Sequence, residues 1–229
     1  MVCPRGHAFD IARSGYINLL QPQERRSRRP GDSLEAVAAR RRFLDRGHAA
    51  PILQAVRAMA DEGQILDAGC GEGYYLGSRR GGCGVDISVP AIDLAARRYP
   101  QCQWTVANAD RFVPYANASF DVVMSITGRM NASEFRRVLR KGGILLVAVA
   151  APDDLIELRG RGRDRVERTI ATFQEFDLIK RDRVATVAEL DAQDAADILR
   201  ATYRPREAPP QHVTLSLDLL LFRVSGSGL

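Results

Sequence analysis

Short apolar runs alternate with amphipathic stretches along most of the chain. Gln64 to Ala68 is apolar around one acid and gives way to glycines at alternate positions, Gly69, Gly71 and Gly73. Gly82 to Ile87 is a second short run that contains an acid, Asp86. Residues 91–99 have helical spacing, 104–107 and 120–126 read as strands, and 134–140 as a short helix stopped by Lys141-Gly142-Gly143 before a buried strand over 144–150. Farther on, 153–176 carries helical spacing, 183–188 reads as a strand and 191–203 as a helix. The strongly apolar 213–224 alternates as a late antiparallel strand would at a sheet's end. Strands and helices trading places at such short spacing predict an α/β fold, a doubly wound, mostly parallel sheet with helices on both faces. Before it lie a loop-like start and a helical stretch over 33–60. The boundary is expected near 61–63, which separates an N-terminal basic segment (1–62) from the sheet domain (63–229).

Charge adds a regional asymmetry. The 229 residues carry a net +5, and 45% of them are hydrophobic, enough for a packed core and too many for a disordered chain. Residues 1–50 hold ten arginines against five acids, while the rest of the chain balances at 23 against 23. Four cysteines, at 3, 70, 83 and 102, form no disulfide-like framework, the start lacks the basic-then-apolar build of a secretory signal, and no apolar run is long enough to span a bilayer. A reducing, cytoplasmic setting is expected.

The glycine run suggests the chemistry. Residues without a Cβ let the backbone turn tightly and approach a ligand ahead of a helix N-terminus. Asp67-x-Gly69-x-Gly71-x-Gly73 lacks the Gly-x-Gly-x-x-Gly spacing of dinucleotide folds. Asp86, thirteen residues beyond Gly73, can accept both hydroxyls of a ribose and would repel a phosphate. A cationic ligand with a free ribose, S-adenosylmethionine, suits this better than NAD. Asn108-Ala109-Asp110 follows the third strand, Pro114-Tyr115 and Ser119 to Val123 lead into the fourth, and Leu139 to Gly143 precede the fifth. The whole series resembles the class I S-adenosylmethionine-dependent methyltransferases. That resemblance implies a seven-stranded Rossmann-like sheet, with Asp67, Gly69, Cys70, Gly71, Gly73 and Tyr74 on the methionine part, Asp86 and Ile87 on the ribose, Asn108, Ala109 and Asp110 on the adenine, and Ser125 lining the site.

The first fifty residues carry a narrower likeness. Cys3-Pro4-x-x-His7-x-Phe9-Asp10, Gly15-Tyr16-x-Asn18-Leu19-Leu20, Arg28-x-Pro30-Gly31-Asp32-Ser33 and Ala39-Arg40-Arg41-x-Phe43-Leu44-Asp45-x-Gly47-His48 occur in order. With the double tyrosine Tyr74-Tyr75, they resemble the bacterial 23S rRNA (guanine-N1)-methyltransferases. The resemblance implies a zinc-bearing N-terminal module, methylation of a guanine N1 in a large-subunit rRNA hairpin, and, in some members from antibiotic producers, macrolide resistance. A structural zinc site needs a Cys-x-x-Cys pair besides Cys3 and His7. These two are therefore expected to be half of a site, or ordinary surface residues.

The arginine clusters, Arg25, Arg26, Arg28 and Arg29, then Arg40 and Arg41, are expected to contact RNA phosphates, which guanidinium forks suit bidentately. A solvated charged face is the bland alternative. Tyr74, Tyr203 and Trp104 are candidate stacking platforms, with core as the other reading of Trp104. Guanine N1 must lose a proton, and Asp10, Glu72, Asp110 and His48 are candidate bases, beside the polar Ser125, Thr127 and Arg129. The expected partner is a 23S rRNA hairpin, and a homodimer is a further expectation. Two other functions stay open, a small-molecule methyltransferase on the same fold and a non-catalytic RNA- or cofactor-binding relative.

Overall fold

The computed structural model describes residues 9, 11–20, 31–60, 62–77, 79, 81–204 and 208–225. Its strands are β1 (Ile17–Asn18), β2 (Ile65–Ala68), β3 (Cys83–Asp86), β4 (Gln103–Val106), β5 (Phe120–Ile126), β6 (Leu139–Ala150), β7 (Phe176–Glu189) and β8 (His212–Val224). They form one sheet in the order β1-β4-β3-β2-β5-β6-β8-β7. Every pair from β1 to β6 is parallel, and β8 runs antiparallel to both β6 and β7. The chain order reverses between β2 and its neighbours β3 and β5, which is where an open α/β sheet leaves a crevice at the carboxyl ends of its strands.

Alternation along the strands builds two cores. Ile65, Val122, Met124, Leu146 and Ala148 face one side with Ile52 and Val56 of α2 (Ala50–Met59) and Ile92 and Ala95 of α3 (Val89–Arg98). Leu66, Val123, Leu145 and Val147 face the other, with Phe135 of α4 (Ala132–Val138), Val166 of α6 (Val166–Thr172) and Phe173. The period of two is what separates these sets. A third, smaller core joins Phe43 of α1 (Leu34–Asp45) to Ile198 of α7 (Ala192–Ala201) and Leu158 of α5 (Ile156–Arg159). Arg42 to Asp197 and Arg46 to Asp194, both at 2.5 Å, bind α1 to α7. Since β7 runs with the parallel strands, α7 follows it at the crest where β2, β5 and β6 also end, and α1 packs there too.

The fold class stands as expected, with corrections. Among the described residues there are eight strands, not seven, because Ile17–Asn18 adds to the free edge of β4 from a segment read as loop. The helical stretch over 33–60 is two helices, broken at Gly47, whose φ of +85° an L side chain rarely adopts. Residues 153–176 hold only the short α5 and α6, because Gly160 at φ +68° ends the first. The strand expected over 183–188 runs from Phe176 to Glu189, since its backbone pairs with β8 along that whole length while its charged side chains stay exposed. The described part of residues 1–62 packs on the same cores, with Leu20, Ile52, Val56 and Ala60 buried in the first.

Candidate active site

Four neighbouring strands, β4, β3, β2 and β5, deliver the expected cofactor residues to one crest. Gly69, Gly71 and Gly73 all have positive φ, +89°, +53° and +79°. Two of them meet neighbours that leave little room: a Cβ on Gly73 would lie 2.5 Å from the Trp104 ring, and one on Gly71 3.2 Å from Nη2 of Arg40. The backbone amides of Gly69 and Cys70 both donate to the Val85 carbonyl, which ties the loop to β3. Gly71→Ala is expected to lower stability by about 1 kcal/mol through its left-handed backbone alone, read as a drop of roughly 2–4 °C in a thermal melt.

The Asp86 carboxylate is fixed by two backbone amides, Gly71 N–H at 3.0 Å and Ser88 N–H at 2.8 Å. Burial raises its pKa, against the lowering effect of those donors and of Arg40 nearby. Asp67, at the end of β2, is only 1% exposed, and neither of its oxygens has a hydrogen-bond partner among the described residues. Burial first, then the neighbouring Asp86, pushes its pKa up to about 7, with Glu72 adding and Arg79 opposing. An orphaned buried carboxylate beside a second one is a site arranged for a cation. The sulfonium and ammonium of S-adenosylmethionine answer that requirement, so the residues present fit the cofactor.

The other expected residues sit around these two. Cys70 is buried and its thiol is pushed well above the usual range by burial. Tyr74 is half-buried, edge-on to Tyr75 with ring centroids 5.1 Å apart, and Ile87 follows β3, half-buried. Asn108 accepts from the Asp110 amide at 3.1 Å, and Asn131 donates to the carbonyls of Ala109 and Asp110, so a turn built on two asparagines shapes the end of β4. Ser125 is buried and donates to the Arg129 carbonyl at 3.0 Å, which folds the loop after β5 back on the crest. Gly128 in that loop approaches Gly69, whose added Cβ would stand 3.3 Å from its Cα.

Other expectations meet corrections. Arg40 does not face outward: its guanidinium grips Glu72 with Nε at 2.9 Å and Nη2 at 2.6 Å, and Asp32 with Nη1 at 2.5 Å. Arg41 is 5% exposed and is spent on Asp45, the Glu72 carbonyl and the Tyr99 hydroxyl. Neither is free for a phosphate, because helix amphipathicity turns them onto the glycine loop. Glu72, engaged by Arg40 and 2% exposed, is poorly placed to take a substrate proton. Asp110 is exposed, with Arg129 at 3.7 Å. His48 lies against Asp194 at 3.0 Å and against the Phe43 ring, so it packs. Trp104, in contrast, is core as its favoured sequence reading had it, with the indole N–H donating to the Tyr99 carbonyl. Asp10, Arg25, Arg26, Arg28, Arg29, Cys3 and His7 lie outside the described residues. Among the described residues no group of three or more metal-ligating side chains comes together. The Asp32–Arg40–Glu72 chain and the Ser88 hydroxyl, which donates to the Asp32 carbonyl, had no sequence signal, since their partners lie far apart in the chain.

A methyltransferase-domain family matches residues 65–143, and a zinc-ribbon family described as RlmA, N-terminal, matches residues 1–28. A 23S rRNA (guanine(748)-N(1))-methyltransferase of Streptomyces fradiae is 33% identical over 209 residues, covering 82% of this chain and 74% of that protein. The chain belongs to the 23S rRNA (guanine-N1)-methyltransferase family. A Bacillus subtilis protein named provisionally for the same activity is 31% identical, over 96% of this chain and 85% of its own length. Among solved structures, an S-adenosylmethionine-dependent methyltransferase from Thermotoga maritima superposes with a TM-score of 0.57 at 15% identity, covering 84% of this chain and 98% of that one. That likeness concerns the fold: the class I methyltransferase sheet, here with one extra edge strand. The family's enzymes depend on S-adenosylmethionine, which agrees with the crest described above. The zinc-ribbon match spans the stretch that contains Cys3 and His7.

Proposed function

We propose that this member of the family transfers a methyl group to N1 of a guanine in a 23S rRNA hairpin. The observation that carries the reading is the buried pair Asp67 and Asp86 beneath the glycine loop, joined to similarity over most of the chain with proteins named, one of them provisionally, for that reaction. When bound, S-adenosylmethionine supplies an electrophilic methyl on a sulfonium. Asp67 offers its unpaired carboxylate to the cationic methionine part, and Asp86, preset by the Gly71 and Ser88 amides, receives the ribose hydroxyls. The turn at Asn108 to Asp110 takes the adenine edge. Because such a displacement needs the acceptor in line, positioning by these groups contributes most of the rate. Arg25, Arg26, Arg28 and Arg29, which precede α1 in the chain, would meet the RNA backbone.

Incubation with labelled cofactor and unmodified large-subunit rRNA, followed by reverse-transcription mapping, is expected to give one stop at an N1-methylguanine. Label entering small molecules but no rRNA, with the cofactor demonstrably bound, would sink the reading in favour of a small-molecule enzyme. No transfer to either would leave a binding protein.

A further inference from the structure

The loop between α5 and α6 reads Arg159-Gly160-Arg161-Gly162-Arg163-Asp164-Arg165. It follows β6, at the crest end of the sheet, next to the end of β5. Apart from Ser125 near the end of β5, the cofactor residues proposed above occupy the ends of β4, β3 and β2, so a methyl acceptor is left the side toward β6. Resting on the rRNA reading, we propose that Arg161, Arg163 and Arg165 form a phosphate-binding loop for the RNA backbone on that side of the crest.

Four observations converge. All three side chains are exposed, and none forms a salt bridge among the described residues. Most acids nearby are already engaged, while Asp153, beside the loop's anchor at Pro152, keeps a buried Oδ1 without a hydrogen-bond partner among the described residues. Asp154 is held by Arg159 at 2.6 Å, Glu167 faces Arg181 at 3.4 Å, and Asp218 is forked by Arg183. Asp164, standing between two of the three, is exposed and has its Oδ1 tied to the Val166 amide at 2.8 Å at the start of α6, so three arginines in the loop face a single acid. The loop is also anchored rather than trailing: Gly162 N–H donates to the Pro152 carbonyl at 2.6 Å, and Gly160 turns the chain at φ +68° with open space around it. Three like charges on alternate residues repel one another, and an anionic backbone relieves this while accepting their forks. Arg129, in the neighbouring loop after β5, has a side chain 85% exposed and extends the basic edge.

The test compares wild type with Arg161→Ala/Arg163→Ala/Arg165→Ala in binding a 23S rRNA hairpin fragment across a salt series. The slope of log affinity against log salt is expected to shrink by about 2, with affinity roughly tenfold or more weaker at physiological salt. KM for RNA rises accordingly, kcat holds, and cofactor affinity and melting temperature match wild type. The lysine triple at the same positions, which keeps three point charges, is expected to retain the slope. An alanine triple with wild-type slope and affinity, while wild type methylates rRNA, would overturn the loop assignment and leave the function standing. A lysine triple as weak as the alanine one would overturn it too, by tracing the loss to something other than charge. If wild type neither binds nor methylates the RNA, both readings fall together.

Discussion

Asp67→Asn is expected to make the cofactor-free protein more stable at pH 8 while weakening its hold on S-adenosylmethionine. Burial raises the Asp67 pKa to about 7, well above its ordinary carboxylate value. The unfolded chain releases this proton near pH 4, and the folded protein keeps it to about pH 7. In that window the native state binds the extra proton, so the Asp67 contribution to stability falls as pH rises, and the deficit is complete above pH 7. Three units correspond to about 4 kcal/mol. An amide in the same place carries no charge but still lacks a partner, and recovers on the order of 2 kcal/mol of this. Thermal melts without cofactor should therefore show the variant above wild type by roughly 4–8 °C at pH 8, and the advantage should vanish near pH 4. Titration with S-adenosylmethionine should show the reverse, an affinity loss on the order of a hundredfold for a missing charged partner. Wild-type cofactor affinity should climb as pH rises through 7, because the cation meets the ionised form. A variant less stable than wild type at pH 8, with unchanged cofactor affinity, would refute the role given to Asp67.

Removing Arg40 should do the opposite to stability. Its guanidinium is the sole ion-pair partner of Glu72 among the described residues, and Glu72 is 2% exposed. Arg40→Ala leaves that carboxylate buried and uncompensated, which costs about 3 kcal/mol and lowers the melting temperature by roughly 6–12 °C. Adding Glu72→Gln should return part of the loss, since the double variant no longer buries a lone charge. Arg40→Lys should stand between, because one ammonium cannot serve Glu72 and Asp32 with the same fork. A fall in cofactor affinity is expected alongside, as Arg40 packs over Gly71 and biases Asp86. A double variant no more stable than Arg40→Ala would show that the pair is not what couples α1 to the glycine loop.

The sheet was readable because its central strands are mostly apolar, with β2 leading into the glycine run and β3 ending in Asp86. The period-two split of Ile65 from Leu66, or Leu145 from Leu146, needs no tertiary information. The edges were harder. Strand β1 is two residues long, and β7 is mostly exposed and charged, so neither has an apolar signature; both exist because a partner strand offers unpaired backbone groups. Arginine roles were least legible, because a guanidinium on a helix looks the same in sequence whether it meets phosphate or carboxylate. Arg40 and Arg41 have carboxylate or hydroxyl partners from distant segments, whereas Arg161, Arg163 and Arg165 have none among the described residues.

By itself, then, the sequence determined the α/β class, the order of most strands along the chain, the glycine loop between Asp67 and Asp86 where the cofactor is proposed to sit, and the family. These depend on local periodicity, on glycine's missing Cβ and on residue types at short spacing, all of which are written along the chain. Only the tertiary structure decided which charges are spent and which are free. The first fifth of the chain holds the whole formal excess of charge, yet its helix α1 turns Arg40, Arg41, Arg42 and Arg46 onto carboxylates or the glycine loop. The balanced remainder keeps Arg161, Arg163 and Arg165, unpaired among the described residues, in the loop after β6. Ion pairing is a matter of proximity between distant segments, and net charge along a sequence does not record it.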